Sequence, residues 1–358
     1  MIPFTTTQYL LQALNMGLAS SMDGESSYTN SFDIKIEEDG FLFIPRLPAG
    51  YLIDDSLYQK IFLIASAALY PRLTLLKQNS IYFVPLDTDD IHVQRGLFFP
   101  WKKGTSKRLI IPDLESFVAS LSGTIIPIME DFSIDYEKVT SMAIAGNSGS
   151  GKSYALVYFL SVLNSISDLV ICDPKYDLPS RWARLNDIRV IHPNQNRSKS
   201  DFVSEINEML SEGLNLIYKR QAILFDDPRH KFSHLTIVID EVLALSEGTN
   251  KSIKDSFFSL LSQISLLGRA TKVHLLLVSQ RFDYQSIPVS VREQLNVLIQ
   301  IGNINSKTVQ FLFPDLDPSG IVIPKGHGVG LIHVIDNEHP YQILPLLLPT
   351  YHTAKEIL

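Results

Sequence analysis

Three groups of residues have types and spacings suited to chemistry on a triphosphate. Gly146-Asn147-Ser148-Gly149-Ser150-Gly151-Lys152-Ser153 fits the phosphate-loop pattern G-x-x-x-x-G-K-[ST] without a mismatch. Its glycines let main-chain amides curl around a phosphate chain, and the helix that follows adds its N-terminal amides and the positive end of its dipole. Lys152 is expected to reach the β- and γ-phosphates and the Ser153 hydroxyl to ligate Mg²⁺, with Tyr154 closing the nucleotide-binding stretch. The second group is Leu235-Thr236-Ile237-Val238-Ile239-Asp240-Glu241, an apolar strand ending in two acids. Asp240 is expected to hold the metal shell, and Glu241 to polarise an attacking water as its base. The third is Leu275-Leu276-Leu277-Val278-Ser279-Gln280, where a polar residue leaves a buried strand at its C-terminal end. Open α/β sheets bind ligands at that end. Gln280 either senses the γ-phosphate, orients water, or is a strand terminus without a role.

These groups need a scaffold that brings strand ends together. From about residue 125 onward, strand-like and helix-like segments alternate, which predicts a mainly parallel sheet with helices on its faces. Strands are expected at Ser141–Ala145, Leu169–Cys172, Arg189–Ile191, Leu235–Ile239, His274–Val278 and Val297–Ile301. Helices are expected at Lys152–Leu163, Asp201–Leu224 and Ser252–Leu267, the last with Ile253, Phe257, Leu260, Ile264 and Leu267 on one face. A strand pair around Asp336-Asn337 closes the pattern.

The first third reads differently, as a small α+β unit. Thr6–Leu18 has helical spacing, Phe32–Ile36 and Phe41–Ile44 alternate around Glu38-Asp39-Gly40 as a hairpin does, and Leu57–Tyr70 reads as a buried helix ended by Pro71. Ile81–Pro85, Ile91–Phe99 and Arg108–Ile111 are expected strands, and Pro112–Glu115 opens a short helix. Trp101-Lys102-Lys103-Gly104 reads as a basic loop, either a nucleic-acid contact or a solvated turn. The expected division is residues 1–125 as a small domain and 126–358 as the nucleotide-binding domain.

Composition narrows the classes. With 358 residues and 45% hydrophobic content the chain has enough apolar matter for a large core, and 19% charged residues is too few for a disordered chain. A net charge of −7 argues against a simple nucleic-acid-coating protein, and less against a motor that grips with local basic loops. The single cysteine, Cys172, lies on an expected strand with no base beside it, so core packing is its expected role and no internal disulfide can form. The nine histidines show no metal-ligand spacing, and His192 and His274 read as packed or surface groups. The segment Leu121-Ser122-Gly123 precedes the phosphate loop and so does not read as a transporter signature. No basic signal-peptide start is present, and the apolar run Ile61–Tyr70 is far short of the roughly 20 residues a membrane helix needs. A cytoplasmic protein without its own membrane span is expected.

The stretch from about Ser141 to Leu331 resembles the motor domain of the FtsK/SpoIIIE family of DNA translocases, within the wider FtsK–HerA group. Ser141-Met142-Ala143-Ile144-Ala145 leads into the phosphate loop as in that family, and Cys172-Asp173-Pro174-Lys175 with Asp177-Leu178 resembles its D-P-K segment. Asp240-Glu241 is followed by a helix ending Leu267-Gly268-Arg269-Ala270, then by Lys272-Val273-His274 and Val278-Ser279-Gln280-Arg281, much like the family's G-R-A and T-Q-R-P segments. Phe282 stands where proline is usual, and Asn305-Ser306-Lys307-Thr308 stands for D-S-R-T, where lysine keeps the charge but loses the bidentate fork.

The resemblance implies a RecA-like core that hydrolyses ATP with Mg²⁺ and acts as a homo-oligomer, a hexameric ring around double-stranded DNA. It implies a catalytic arginine acting across subunits, with Arg269, Arg281 and Arg292 as candidates against the alternative of solvated or structural cations. Lys175 either couples nucleotide state to DNA-contacting loops or pairs with Asp177. No winged-helix reader is expected after the motor core. By family analogy the activity suits DNA transfer in conjugation, with membrane-complex or relaxase partners. The alternatives are a secretion or assembly ATPase, and a scaffold that uses nucleotide only to assemble.

Overall fold

The computed structural model describes residues 5–19, 31–78, 81–283, 286–336 and 343–353. Two compact units emerge, one of residues 1–106 with 315–323 and 340–345, the other of residues 107–314, 324–339 and 346–358. The division falls ahead of residue 125 because the short strand Ile110–Ile111 that follows Lys107 pairs with Thr350–Tyr351 of the second unit.

In the first unit, helix α1 (Thr6–Ala19) buries Leu10, Leu14 and Leu18, an i, i+4, i+8 stripe on one face. Strands β1 (Phe32–Ile36) and β2 (Gly40–Pro45) form the expected antiparallel hairpin. Helix α2 (Asp55–Leu69) starts where the Asp54 carboxylate accepts from the Leu57 amide and stops ahead of Pro71. Strands β3 (Leu73–Leu75), β4 (Phe83–Pro85) and β5 (Arg95–Lys103) complete a five-stranded sheet. Two expectations change here. Residues 91–93 form a 3₁₀ turn capped by Asp90 rather than the start of a strand. Trp101, Lys102 and Lys103 belong to β5 rather than a loop, because Trp101 pairs with Leu75, buries its ring and donates its indole N–H to the Glu38 carbonyl at 3.2 Å.

The second unit opens with β6 (Ile110–Ile111), helix α3 (Leu114–Ser120) and the hairpin β7 (Ile125–Met129) and β8 (Phe132–Asp135). Then come β9 (Ser141–Gly146), α4 (Lys152–Leu163), β10 (Ser167–Cys172), α5 (Leu178–Leu185), β11 (Arg189–Ile191) and the long α6 (Lys199–Asp226). They are followed by β12 (His234–Ile239), α7 (Val242–Ser246), α8 (Lys251–Thr271), β13 (Val273–Ser279), α9 (Val289–Arg292) and β14 (Val297–Ile301). Helix α10 (Ser306–Val309), β15 (Val329–Val334), β16 (Ile343–Leu347) and β17 (Thr350–Tyr351) end the described chain. Of the expected turn at Asp336-Asn337, Asn337 lies outside the described residues.

The main sheet runs β11-β10-β12-β13-β9-β14-β15-β16. From β11 to β14 every neighbour pair is parallel, and β15 runs antiparallel to β14. Strands β9, β13 and β14 are buried at every position, as expected for a parallel sheet covered on both faces. Gly268, in the G-R-A segment, has a packing reason. A Cβ there would lie 2.1 Å from the Val273 carbonyl oxygen, so glycine lets the last turn of α8 close onto β13. Among the described residues no helix is long and apolar enough to cross a membrane.

Candidate functional site

Because β9, β12 and β13 run parallel, the phosphate loop, Asp240-Glu241 and Gln280 all leave the sheet at its C-terminal edge. The order differs from an adjacent arrangement in one respect: β13 lies between β9 and β12, so the phosphate loop and the acidic pair are two strands apart, with Gln280 between them.

The loop itself is shaped by glycine. Gly149 and Gly151 take φ of +76° and +97°, values that L side chains rarely adopt. A Cβ on Gly146 would come within 2.8 Å of the Ile301 carbonyl oxygen on the neighbouring strand. Gly151 caps α4 with no side-chain hydrogen bond, which leaves the first amides of a twelve-residue helix to a ligand. The Ser150 hydroxyl oxygen is buried against Gly146 and has no hydrogen-bond partner. Lys152 is buried; its ammonium donates to the loop's own Gly146 and Asn147 carbonyls, the latter at 3.2 Å. Burial lowers its pKa, while Glu241 and Asp240 pull the other way. Ser153 is exposed on the first turn of the helix.

Opposite the loop, Asp240 and Glu241 are both buried. Burial pushes the Asp240 carboxyl up to about 6 against the attraction of Lys175. Glu241 takes a left-handed backbone, φ 55° and ψ 62°, which for a non-glycine residue costs on the order of 1–3 kcal/mol and tends to occur at functional sites. Burial resists ionisation of its carboxyl, yet its partners outweigh that, and its pKa falls below the ordinary glutamate value. The partners are the Lys175 ammonium at 2.8 Å, the Gln280 main-chain N–H at 3.1 Å and the Ser279 hydroxyl at 3.4 Å. It is therefore the Gln280 amide, not its exposed side chain, that touches the acid.

Lys175 does not pair with Asp177, which faces Arg181 instead. It bridges to Glu241 and stands 4.0 Å from Asp240. The reason is Asp173, fully buried after β10. Its carboxylate accepts from the amides of Lys175 and Asp177 at 2.9 Å and from the Ser180 hydroxyl at 2.7 Å, and so fixes the loop that carries the lysine. Asp173 sits in the D-P-K segment, but nothing in its spacing revealed this second task.

The three arginine candidates separate. Arg269 is exposed on the last turn of α8, just ahead of β13, and hence at the sheet edge opposite its own phosphate loop. Arg292 ends α9, with its Nε buried and unpartnered. Arg281 leaves β13 on the nucleotide side and pairs with Asp283 at 2.8 Å. Cys172 is fully buried and burial pushes its thiol far up, as a packed residue requires. His274 is also buried, with its pKa lowered to about 3, and stacks on His234; His192 packs on Tyr176. Two residues that sequence reading gave no contact meet across the fold. Tyr154 and Tyr351 stack at 4.0 Å and exchange hydrogen bonds, a pairing 197 residues apart with no local signal.

No protein-family model matches the chain. Over 206 residues it is 22% identical to the FtsK domain-containing protein YdcQ of Bacillus subtilis, a stretch that is 54% of this chain and 40% of that protein. The chain thus spans well under half of that relative. The resemblance read from the D-P-K, G-R-A and S-Q-R segments is borne out by this relative. Among solved structures, the pCW3 conjugation coupling protein TcpA, a monomer with ATPγS, is similar with a TM-score of 0.55 and 15% identity, over 95% of this chain and 94% of that one. That likeness establishes a P-loop ATPase fold.

Proposed function

We propose that this chain hydrolyses ATP to move double-stranded DNA, as a ring of identical subunits, in conjugation or the transfer of a mobile element. One observation carries the enzymatic part. A glycine-lined cradle and a buried acidic pair face each other across a single intervening strand, and the expected base is held ionised by Lys175. A pure assembly switch has no use for such a base.

The parts take the following roles. The loop amides and Lys152 bind the phosphates, with the ammonium leaving the Gly146 and Asn147 carbonyls for them. Ser153 and Asp240 would hold Mg²⁺, which would neutralise phosphate charge when bound. Glu241 takes a proton from the attacking water. Gln280, through its main chain, fixes Glu241 and leaves its side chain free to register the γ-phosphate. Arg269 lies on the far edge from its own loop, and in this reading it serves a neighbouring subunit's nucleotide.

The DNA and transfer parts lean on the names of the two similar proteins and on the motif resemblance. The test is ATP turnover by the purified chain with and without double-stranded DNA. Stimulation of tenfold or more is expected. Turnover indifferent to DNA would move the reading to a secretion or assembly ATPase, and no turnover at all would leave only a nucleotide-dependent scaffold.

A further inference from the structure

We infer that Phe225, at the projecting end of α6, inserts into a cavity at the start of α6 in a second copy of this chain, and that the contact repeats head to tail. The inference rests on the ring reading above and adds to it the surfaces that meet.

Helix α6 is longer than the sheet it covers. Its 28 residues rise about 42 Å at roughly 1.5 Å each, whereas the six residues of β12 span about 20 Å. Three points fix its course. Phe202 lines the cavity near the C-terminal edge of the sheet. A Cβ on Gly213 would stand 2.8 Å from the Ile237 side chain, midway along β12. The Arg220 guanidinium donates to the Ser233 carbonyl at 2.9 Å and to the Thr271 carbonyl at 2.7 Å, just ahead of β12 and β13. The residues after Arg220 therefore project beyond the N-terminal edge. Tyr218, Ala222 and Phe225 share one face of this end and are exposed. Leu266 of α8 is exposed too, three residues on from the Gln263 that accepts from the Tyr218 hydroxyl at 3.3 Å. Phe225 is 88% exposed, more than any other large hydrophobic residue among the described ones. Exposed apolar residues gathered in this way mark an interaction surface.

The cavity has a volume of about 320 Å³. Roughly 150 Å³ is enough to admit a benzene ring. Pro174, Pro193, Phe202, Ala244 and Leu245 give it apolar walls, and Arg197 and Lys199 stand beside them. Arg197 pairs with Glu205 at 2.8 Å and Lys199 donates to the Glu247 carbonyl, and each cation keeps further N–H donors. The projecting end carries the matching chemistry. Asp226 and Asp227 directly follow Phe225 and are exposed, while Arg229 and Lys231 come only after Pro228. An aromatic ring followed by acids thus fits an apolar cavity flanked by cations. Within one chain the two cannot meet, because they lie at opposite ends of a rigid helix. Each copy offers one ring and one cavity, a heterologous contact of the kind that closes into rings when the rotation allows. Arg269 ends α8 at the same edge as Phe225, so the order that brings Arg269 to a neighbour also brings Phe225 there.

The contact also bears on turnover. Pro174 directly precedes Lys175, and Ala244 and Leu245 belong to α7, which starts directly after Glu241. An inserted ring therefore touches both segments that carry the Lys175–Glu241 ion pair.

The experiment follows assembly of the full chain by sedimentation velocity with Mg²⁺ and ATPγS, for the wild type, Phe225→Asp and Ala244→Trp. Melting curves check that each variant is folded. Each variant alone should need about tenfold more protein, or more, to assemble. Mixed one to one, the two should form dimers at the wild-type assembly concentration and nothing larger, because one intact ring meets one intact cavity. A second pair frees the test from the folding of Ala244→Trp. A bismaleimide should join a Phe225→Cys chain to an Ala244→Cys chain and neither to itself, with Cys172 fully buried. Variants that assemble like the wild type, a mixture that stays monomeric, or a cysteine pair that does not cross-link overturn the contact and leave the ring to other surfaces. A wild-type chain that is monomeric at every concentration removes the ring reading, and this contact with it.

Discussion

Each unit of this protein buries charge, and the two treat it in opposite ways. In the first unit a single lysine, Lys77, is almost fully buried in an aromatic core where Phe32 stacks on Phe43, Phe41 on Phe99 and Tyr58 on Phe99. Its ammonium donates to the neutral Gln59 side-chain oxygen and lies 4.1 Å from the centre of the Phe62 ring. In the second unit Lys152, Asp173, Asp240 and Glu241 are buried together at or beside the C-terminal edge of one parallel sheet, whereas Arg220 is buried at the opposite edge against the Ser233 and Thr271 carbonyls. At the C-terminal edge opposite charges lie within reach of one another, as Lys175 does of Glu241 and Asp240. Burying charge is costly in both units. Only at the C-terminal edge is it organised so that a bound ion or phosphate would complete it. The contrast teaches that a buried titratable group signals function when its neighbours are themselves titratable and share an opening to solvent.

The largest expected effect tests the second half of that contrast. Glu241→Gln keeps the shape of the side chain and removes its capacity to take a proton. Turnover should fall by about 10²–10⁴-fold, the usual worth of a general base, while ATP affinity stays within a few-fold. Single-turnover hydrolysis and equilibrium nucleotide binding on the same preparation decide it. Turnover within tenfold of wild type would break the comparison, because the acidic pair would then be as inert as Lys77.

A smaller effect tests the first half. Burial lowers the Lys77 pKa to about 8 from its ordinary 10.5, with Asp317 and Asp55 only partly opposing. The folded state thus binds fewer protons than the unfolded state between those two values, so stability should rise with pH across about pH 8 to 10.5 and carry the full penalty below 8. The size is on the order of 3 kcal/mol, from about 1.36 kcal/mol per unit of pKa. Lys77→Met should therefore stabilise the protein at pH 7 and flatten the pH dependence in that window. The chain has two tryptophans, and Trp101 belongs to this core, so denaturation followed by its fluorescence in a Trp182→Phe background reads this unit. A destabilised Lys77→Met variant would show instead that the cation holds the aromatic core together.

Much of this contrast was legible in the sequence. The phosphate loop, the helix it opens and the strand before Asp240 announce themselves by local pattern: glycine where φ is positive, and apolar runs where both faces of a strand are covered. The order of strands was not, because nothing near Asp240 encodes that β13 inserts between β12 and β9. The sequence offers Asp177 as one of two options for Lys175 for a related reason. Neighbours in sequence are the natural partners to propose, whereas the partner that matters, Glu241, is 66 residues away and reached only through the loop that Asp173 folds. The buried Lys77 was invisible, since a lone lysine in a polar-looking stretch carries no sign that the Tyr58 and Phe62 rings of α2 will cover it.

The smallest expected effect sharpens the boundary between the acidic pair and its supports. The Glu241 carboxylate accepts from the Gln280 main-chain N–H, a donor that any residue but proline supplies, while the Gln280 side chain is exposed. Gln280→Ala keeps the amide, so ATP turnover without DNA should stay within about threefold of wild type, a change of roughly 0.7 kcal/mol in the barrier. If the side chain registers the γ-phosphate, the loss appears instead in DNA-stimulated turnover, which should drop toward the unstimulated rate. Steady-state hydrolysis across a DNA titration separates the two. A hundredfold fall in turnover without DNA would place the side chain itself in the chemical step, beyond the support that Glu241 draws from the Ser279 hydroxyl and the Gln280 main-chain N–H.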